Sequence, residues 1–482
     1  MADAVDRAAN RRRSNTELGL LILAILTTLT AASLVELSQQ PEVPNAVLTY
    51  GGVFIGGAAI AHLAKRWLAP GSDPVLLPVA VLLNGLGLVM VRRIDFARID
   101  RNADAAAFAD AQVVWSIVAM LAFVATLIVL RDHLSLDRYR YLIGLGSVLL
   151  LLTPLLPVIG REVNGARIWI HVAGLTIQPV EIAKLGLTTF FASYLAEKRD
   201  ILAVATNRLG PVMVPPLRAF VPLLAIWAVG IAVLGLQNDL GPSLLFYGVF
   251  LVVLYVATGR LAYPLAGVAL AGVGGYFAYH MFSHVQSRVA IWIDVWERYT
   301  SDGYQLAQSL FAFGTGGISG VGLGQGQPDF IPFVETDFIF SAFGEEAGLL
   351  GTAAILLCFL LIVGRGFRIA MRARDEFGAL LALGLTTIFG LQVFIIIGGV
   401  TRLIPLTGIT LPFVSYGGSS LLANYVLIAL LVRISAPAPA RSRRRTPPGE
   451  PRWEDEPYVA DSDGQAAELA DVDSTGAVRG EE

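Results

Sequence analysis

Twelve apolar stretches, each close to the ~20 residues that a helix needs to cross a bilayer, divide this chain of 482 residues. They lie near Leu18–Leu37, Ala46–Leu68, Pro74–Val91, Ala111–Leu130, Tyr139–Val158, Ile177–Leu195, Ala219–Leu236, Gly241–Thr258, Leu261–Met281, Phe338–Val363, Gly378–Val400 and Ser415–Ile434. Only 15% of the residues are charged, against about 25% in a soluble domain, so the residues for a solvated surface are missing. A soluble enzyme, a disordered chain and a collagen-like rod are excluded. The single cysteine, Cys358, cannot form an intramolecular disulfide, and its apolar setting gives it a packing role. The pattern predicts an all-α polytopic membrane protein with about 12 transmembrane helices. The first stretch is too long, and too quickly followed by a second, to be a cleaved signal peptide.

An even number of spans puts both ends on one side, and arginine and lysine choose that side. With the N-terminus inside, the external segments hold only nine arginines, and the cytoplasmic ones hold the remaining basic residues. Four of the nine, Arg92, Arg93, Arg98 and Arg101, fall in one short loop and run against the rule. Both termini are expected in the cytoplasm: residues 1–16 before the first span, and 436–482 after the last. Within the latter, Glu450–Glu482 carries eleven acidic residues and two arginines with four nearby prolines, which predicts a solvated, disordered tail. The longest connection, 282–337, is external. It holds Trp292, Trp296, Phe311, Phe313, Phe330 and Phe333, so it is expected to fold back onto the membrane surface.

Ionisable side chains inside spans are costly and mark function by default. Glu181 and Lys184, three apart in Gln178-Pro-Val-Glu-Ile-Ala-Lys184, share one helix face. They read as a neutralised packing pair or as the wall of an outward cavity. Pro179 suits the first turn of their helix. Asp239 sits in the tight break Gln237-Asn-Asp-Leu-Gly-Pro242, where a helix cap is the plain alternative. Asp337 stands where the long loop meets a span, again with capping as the alternative. Glu335, Glu345 and Glu346 join it as a dense carboxylate set at one membrane entrance. Such a set can bind a divalent cation through oxygen or supply a general base. Gly314–Gly326 is a glycine-rich run without the strand–helix context of a dinucleotide site. Pro405–Ser420, which includes Ser415, breaks any helix; non-helical backbone at membrane depth must line a cavity or be buried in protein. The residues together describe an external cavity whose ligand is a lipid headgroup, a sugar or an ion.

Six stretches in register carry a resemblance: Asn164-Gly-Ala-Arg-Ile-Trp-Ile170, Gln178–Lys184, Gln237–Pro242, Gly303-Tyr-Gln-Leu-Ala-Gln-Ser309, Glu335-Thr-Asp-Phe-Ile-Phe340 and Pro412–Ser420. Over residues 74–435 the chain resembles the SEDS family (shape, elongation, division and sporulation). The resemblance implies a ten-helix catalytic core with a large extracytoplasmic loop, preceded here by two extra N-terminal helices within 17–73, a pattern similar to actinobacterial members. It implies a peptidoglycan glycosyltransferase that joins lipid II units on the outer face of the plasma membrane and releases undecaprenyl pyrophosphate. Asp337 matches the family's essential aspartate. Trp169, Glu181, Lys184, Asp239 and Arg288 match further family positions. Glu335 stands where the family often has histidine, and Val180 where it often has serine.

On that reading Asp337 is the general base. Arg167, Trp169, Glu181, Lys184, Asp239, Arg288, Glu335 and Ser415 are expected to bind substrate. Asp337 and Glu335 are expected to hold a divalent cation, Mg2+ or Mn2+, that shares the pyrophosphate charge with Arg167, Lys184 and Arg288. The implied partners are a class B penicillin-binding protein, lipid II and membrane lipids, with no nucleic acid. Leu406-Thr-Gly408 looks more like the elongation branch of the family than the division branch. The competing readings are a division polymerase, a transporter (flippase) of lipid-linked precursors and a noncatalytic scaffold.

Overall fold

Each of the twelve apolar stretches is occupied by a helix in the computed structural model, which describes residues 2–39, 45–101, 107–157, 159–163, 166–172, 175–203, 207–209, 212–214, 217–237 and 239–437. In chain order the helices are α1 (Ala2–Gln39), α2 (Asn45–Leu68), α3 (Leu76–Arg101), α4 (Ala109–Val129), α5 (Leu134–Arg138), α6 (Arg140–Leu152), α7 (Pro179–Ala203), α8 (Leu217–Leu236), α9 (Leu240–Thr258), α10 (Ala262–Met281), α11 (Ser283–Ile293), α12 (Tyr304–Gly316), α13 (Ile339–Arg372), α14 (Glu376–Val400) and α15 (Gly418–Ser435). Seven described helices are long and apolar enough to cross a membrane on their own, and an eighth span results if α10 and α11, bent by 104° at their junction, count as one. The chain is a multi-pass α-helical membrane protein. The expected tail lies outside the described residues from 438 onward.

Burial grades the helices by role. α3, α14 and α15 are enclosed along most of their length, with Leu83, Phe389 and Tyr425 fully buried. α10 sits at the edge, with Leu265, Val268 and Phe277 exposed, as befits a lipid-facing surface. α4 packs on α15, α13 on α14, and α6 on α7. The two N-terminal helices pack outside this set, α1 against α3 and α2 against α4. α1 is helical from Ala2, so the expected N-terminal segment 1–16 is largely the first turns of a long helix.

Two departures from an all-helical reading occur in polar connections. A three-stranded antiparallel sheet is formed by β1 (Gly160–Val163), β2 (Ala166–Val172) and β3 (Leu175–Ile177). A two-stranded ribbon, β4 (Asn207–Leu209) and β5 (Val212–Val214), lies between α7 and α8. The 282–337 connection is itself structured: it holds α11, α12 and a 3-10 turn at Pro328–Phe330.

The four arginines that broke the charge rule have partners. α3 runs on to Arg101, and its last turns present Arg92 to Glu36, Arg93 to Glu346, Arg98 to Glu335 and Arg101 to Asp329. One carboxylate comes from α1, two from the long loop and one from α13, so these cations fasten all three to one end of the bundle. The expected carboxylate cluster is dispersed by the same pairs. Glu346 accepts from Arg93 at 2.8 Å and from the Gly324 amide at 2.8 Å. α13 is kinked at Gly348, whose φ of 65° an L side chain rarely adopts.

Candidate functional site

The site begins with backbone that cannot continue a helix. Between α14 and α15, residues 401–417 run irregularly, as their prolines and glycines require. α4 grips this segment: the Gln112 side chain donates to Ser415 O at 3.3 Å and accepts from Gly417 N at 3.4 Å. Ser415 is buried; its hydroxyl accepts from Leu411 N at 2.9 Å and donates to Thr336 O. It ties the broken segment to the residue before Asp337 and has no exposed surface to offer a substrate.

α11 docks on the other side of the segment. Arg288 donates to Leu406 O, Trp292 Nε1 donates to Arg402 O at 3.1 Å, and Arg402 Nε returns a bond to Trp292 O at 2.8 Å. Gly408, with φ +74°, lies in the resulting crevice. A Cβ there would stand 3.5 Å from Arg288 Nη2 and 3.6 Å from Asp337 Oδ2. The guanidinium and the carboxylate therefore flank one small space, and glycine keeps it open. The non-glycine residues with positive φ among the described residues are Phe333, Arg402 and Phe413. They all lie in the two segments that frame this crevice, where strain of about 1–3 kcal/mol per residue is held by the surrounding packing.

Asp337 is not a helix cap. Phe338 occupies the N-cap position of α13 and no side chain caps it. Asp337 donates its own amide to Phe333 O at 3.3 Å and leaves its carboxylate half-buried. Burial, with the neighbouring Glu335 charge, pushes this carboxyl up to about 6 against the opposing pull of Arg288 and Thr336.

Asp239 occupies the N-cap position of α9 but makes no capping bond, and its Oδ2 is buried without a partner. Burial raises its carboxyl to about 7; the charges of Glu181 and Asp337 add to this and Arg288 opposes it. The break that carries it abuts the irregular segment, since a Cβ on Gly241 would meet the Ile409 side chain and Thr407 O.

The Glu181–Lys184 pair completes the group. α7 starts at Pro179 as its sequence predicts, and Gln178 N donates to Ser419 Oγ at 2.9 Å, fixing α7 to the start of α15. Lys184 Nζ lies 2.6 Å from Glu181 Oε2 and 2.8 Å from Gln392 Oε1, all three side chains being buried. Gln392 in turn donates to Thr410 O at 2.9 Å. The charged groups thus form a sequence of electrostatic neighbours, from Lys184 and Glu181 through Asp239 and Arg288 to Asp337. Gln392 was not singled out by sequence reasoning, and Gly408 was read only as a helix breaker and as part of Leu406-Thr-Gly408. A lone glutamine in the apolar run of α14 was the available signal.

Other expected site residues lie apart. Glu335 is buried and paired with Arg98 at 3.0 Å, which removes it as the free second oxygen donor beside Asp337. Arg167 is exposed on β2 and pairs with Glu162 at 2.9 Å; Trp169 is paired across the sheet with Arg161. Among the described residues no hydrogen bond or ion pair joins either to Asp337. Among the described residues no group of three or more His, Cys, Asp or Glu side chains converges as a cation cage. At this site the Asp239 Oδ2 is buried without a hydrogen-bond partner, and the half-buried Asp337 carboxylate is the other candidate oxygen donor to a cation.

An apolar helical bundle that gathers two perturbed aspartates, an arginine and a buried ion pair around broken backbone defines a multi-pass membrane protein with a charged site at one end of the bundle. The FtsW/RodA/SpoVE family model, described as a cell cycle protein, matches residues 74–439. The chain is 47% identical to the peptidoglycan glycosyltransferase RodA of Mycobacterium tuberculosis over 436 residues, 90% of this chain and 93% of the relative. It is 36% identical to a probable peptidoglycan glycosyltransferase FtsW of Geobacter metallireducens, over 75% of this chain and 94% of the relative. Among solved structures, the crystal structure of Thermus thermophilus RodA matches with a TM-score of 0.52 at 26% identity, covering 77% of this chain and 97% of that one. A chain from a study of structural coordination of polymerization and crosslinking by a peptidoglycan synthase complex matches with a TM-score of 0.60 at 26% identity, covering 76% and 97%. The chain belongs to the FtsW/RodA/SpoVE family, the SEDS proteins. The longer mycobacterial alignment also reaches into the α1–α2 region that the family model leaves out.

Proposed function

We propose that this chain is a peptidoglycan glycosyltransferase of the RodA type, which polymerises lipid II for cell elongation with Asp337 as general base. The activity and the branch rest on the higher identity to RodA than to FtsW relatives. The role of Asp337 rests on one observation: its carboxylate is uncapped, half-buried and set beside Arg288 across the space that Gly408 leaves open.

In this reaction a sugar hydroxyl of one lipid II unit attacks the anomeric carbon of another. The new bond is carbon–oxygen, the bond broken is anomeric carbon to pyrophosphate oxygen, and the hydroxyl proton passes to Asp337. A base held near neutrality is ionised at working pH yet still basic enough to take that proton. A single displacement inverts an α-linked donor to a β-linked product, so no covalent enzyme intermediate is needed. Arg288 is placed to balance negative charge on the leaving pyrophosphate, and Lys184 keeps Glu181 neutralised behind it. A divalent cation, Mg2+ or Mn2+, fits as one carried mainly by substrate phosphates, with Asp337 and Asp239 Oδ2 as protein oxygens; bound there, it would neutralise pyrophosphate charge.

The loop end of the bundle is assigned to the outer face and both termini to the cytoplasm. The paired state of Arg92, Arg93, Arg98 and Arg101 supports this, because these residues serve as structural partners at the loop end. A class B penicillin-binding protein is the proposed partner, in line with the synthase complex that the fold resembles. The test is polymerisation of lipid II by the purified chain alone: glycan strands support the enzyme, and their absence with an active reference polymerase in the same detergent favours a transporter or scaffold.

A further inference from the structure

The cleft between α1, α2 and the turn at 69–72 lies at the opposite end of the bundle from Asp337. α1 fixes this placement. Its last residue, Gln39, donates to Gly324 O in the long loop at 2.9 Å, whereas Ser14 stands 25 residues earlier on the same helix. At ~1.5 Å per residue that separation is about 37 Å, enough to cross a hydrocarbon core of ~30 Å and reach the far headgroups.

The cleft is a cavity of about 370 Å³ whose lining includes Arg11, Arg13, Ser14 and Glu17 of α1 and Lys65 and Arg66 of α2. Its charge is lopsided: four cations face one carboxylate. Glu17 is already held by Lys65 and by His62 Nδ1 at 2.9 Å. Asp73, on the turn that follows α2, is committed to Arg365. Arg13 donates to Gly71 O at 2.6 Å, which locks the turn against α1. Among the described residues Arg11 and Arg66 make no ion pair. The Ser14 hydroxyl is buried with no hydrogen-bond partner in the chain. A buried hydroxyl without a partner costs about 1–3 kcal/mol, and here it stands among uncompensated cations.

The surroundings are those of a membrane interface. Trp67, 76% exposed, sits next to Arg66, at the level where aromatic side chains mark the boundary of the bilayer. Toward the bilayer, Leu18, Ile22 and Leu63 are exposed and offer apolar surface for an acyl chain. A phosphate bound at this depth belongs to a lipid.

We propose that this cleft binds the phosphate of an anionic phospholipid headgroup, anchoring the two extra helices to the leaflet opposite the active site. Basic pockets between membrane helices on that side suit such headgroups.

The test uses the full chain, released from nanodiscs of mixed phosphatidylglycerol and phosphatidylcholine and examined by native mass spectrometry. The wild type is expected to retain phosphatidylglycerol preferentially. Arg11→Gln/Arg66→Gln removes two cations that hold no ion pair, so folding is kept, and retention should fall about 25-fold, at about fivefold per charge. Arg12→Gln, an exposed neighbour outside the cleft lining, should leave retention little changed. Equal retention of both lipids overturns the proposal, as does an unaffected double variant or an equal loss in Arg12→Gln. Displacement of the lipid by millimolar inorganic phosphate overturns the assignment to a headgroup.

Discussion

Replacing Lys184 by methionine keeps the length of the side chain and removes only the charge. Glu181 then loses a partner at 2.6 Å in a place where the two side chains are 9% and 3% exposed. At an effective dielectric of ~20 the Coulomb attraction at that distance is about 6 kcal/mol, most of it offset by the desolvation of both groups. Breaking a buried pair by removing one member typically costs about 3–5 kcal/mol, because the other charge stays behind. Glu181→Gln should cost a similar amount through Lys184, although Gln392 still accepts one of its bonds at 2.8 Å. The double variant Glu181→Gln/Lys184→Met strands no charge and should recover most of the stability. The assay is thermal unfolding in one detergent, combined with lipid II polymerisation. All three variants are expected to lose polymer, the double variant while remaining folded. Single variants that unfold within about 1 kcal/mol of the wild type, the range of a solvated pair, would refute the buried-pair reasoning. A stable, fully active double variant would reduce the pair to helix packing.

Two further outcomes follow from the loop end of the bundle. Arg98→Ala removes the partner of Glu335 and leaves a stronger negative charge beside Asp337; since that charge raises the Asp337 carboxyl, the acid limb of the pH–rate profile should move to higher pH, and an unmoved limb would separate Glu335 from the site. In a chain with Cys358 replaced by alanine, cysteine at the exposed Ser301 should react with an impermeant thiol reagent in intact cells and cysteine at Ser462 should not; the reverse labelling would invert the assigned topology.

The apolar helices, though not their number as spans, the tight break at Asp239 and the irregular run before α15 were legible because each rests on local chemistry: apolar length, and prolines and glycines that no helix tolerates. The face-sharing of Glu181 and Lys184 was legible for the same reason, as three residues make nearly one turn. What the sequence could not give was pairing across the chain. Glu335 and Glu346 read as members of one acidic cluster because their partners, Arg98 and Arg93, lie more than 200 positions away. Those same arginines read as exceptions to the charge rule. The strands at 160–177 escaped notice because a run as short as β3, Leu175–Ile177, shows too little alternation to separate from a loop. Gly408 was visible as a helix breaker, but only the fold sets it between Arg288 and Asp337.

The central claim is that the Asp337 carboxylate takes the proton in glycan polymerisation. Asp337→Asn retains size and hydrogen bonding but cannot accept that proton, and loss of a general base costs about 10²–10⁴-fold in rate. The measurement is lipid II polymerisation by the purified variant across pH, beside its thermal stability. The wild-type rate should rise with pH through about 6, as the raised Asp337 carboxyl ionises. The variant should be folded, nearly inactive and without that limb, including at saturating divalent cation. Near-normal polymerisation by Asp337→Asn, or an unchanged acid limb, would contradict the assignment and transfer the role of base to Asp239.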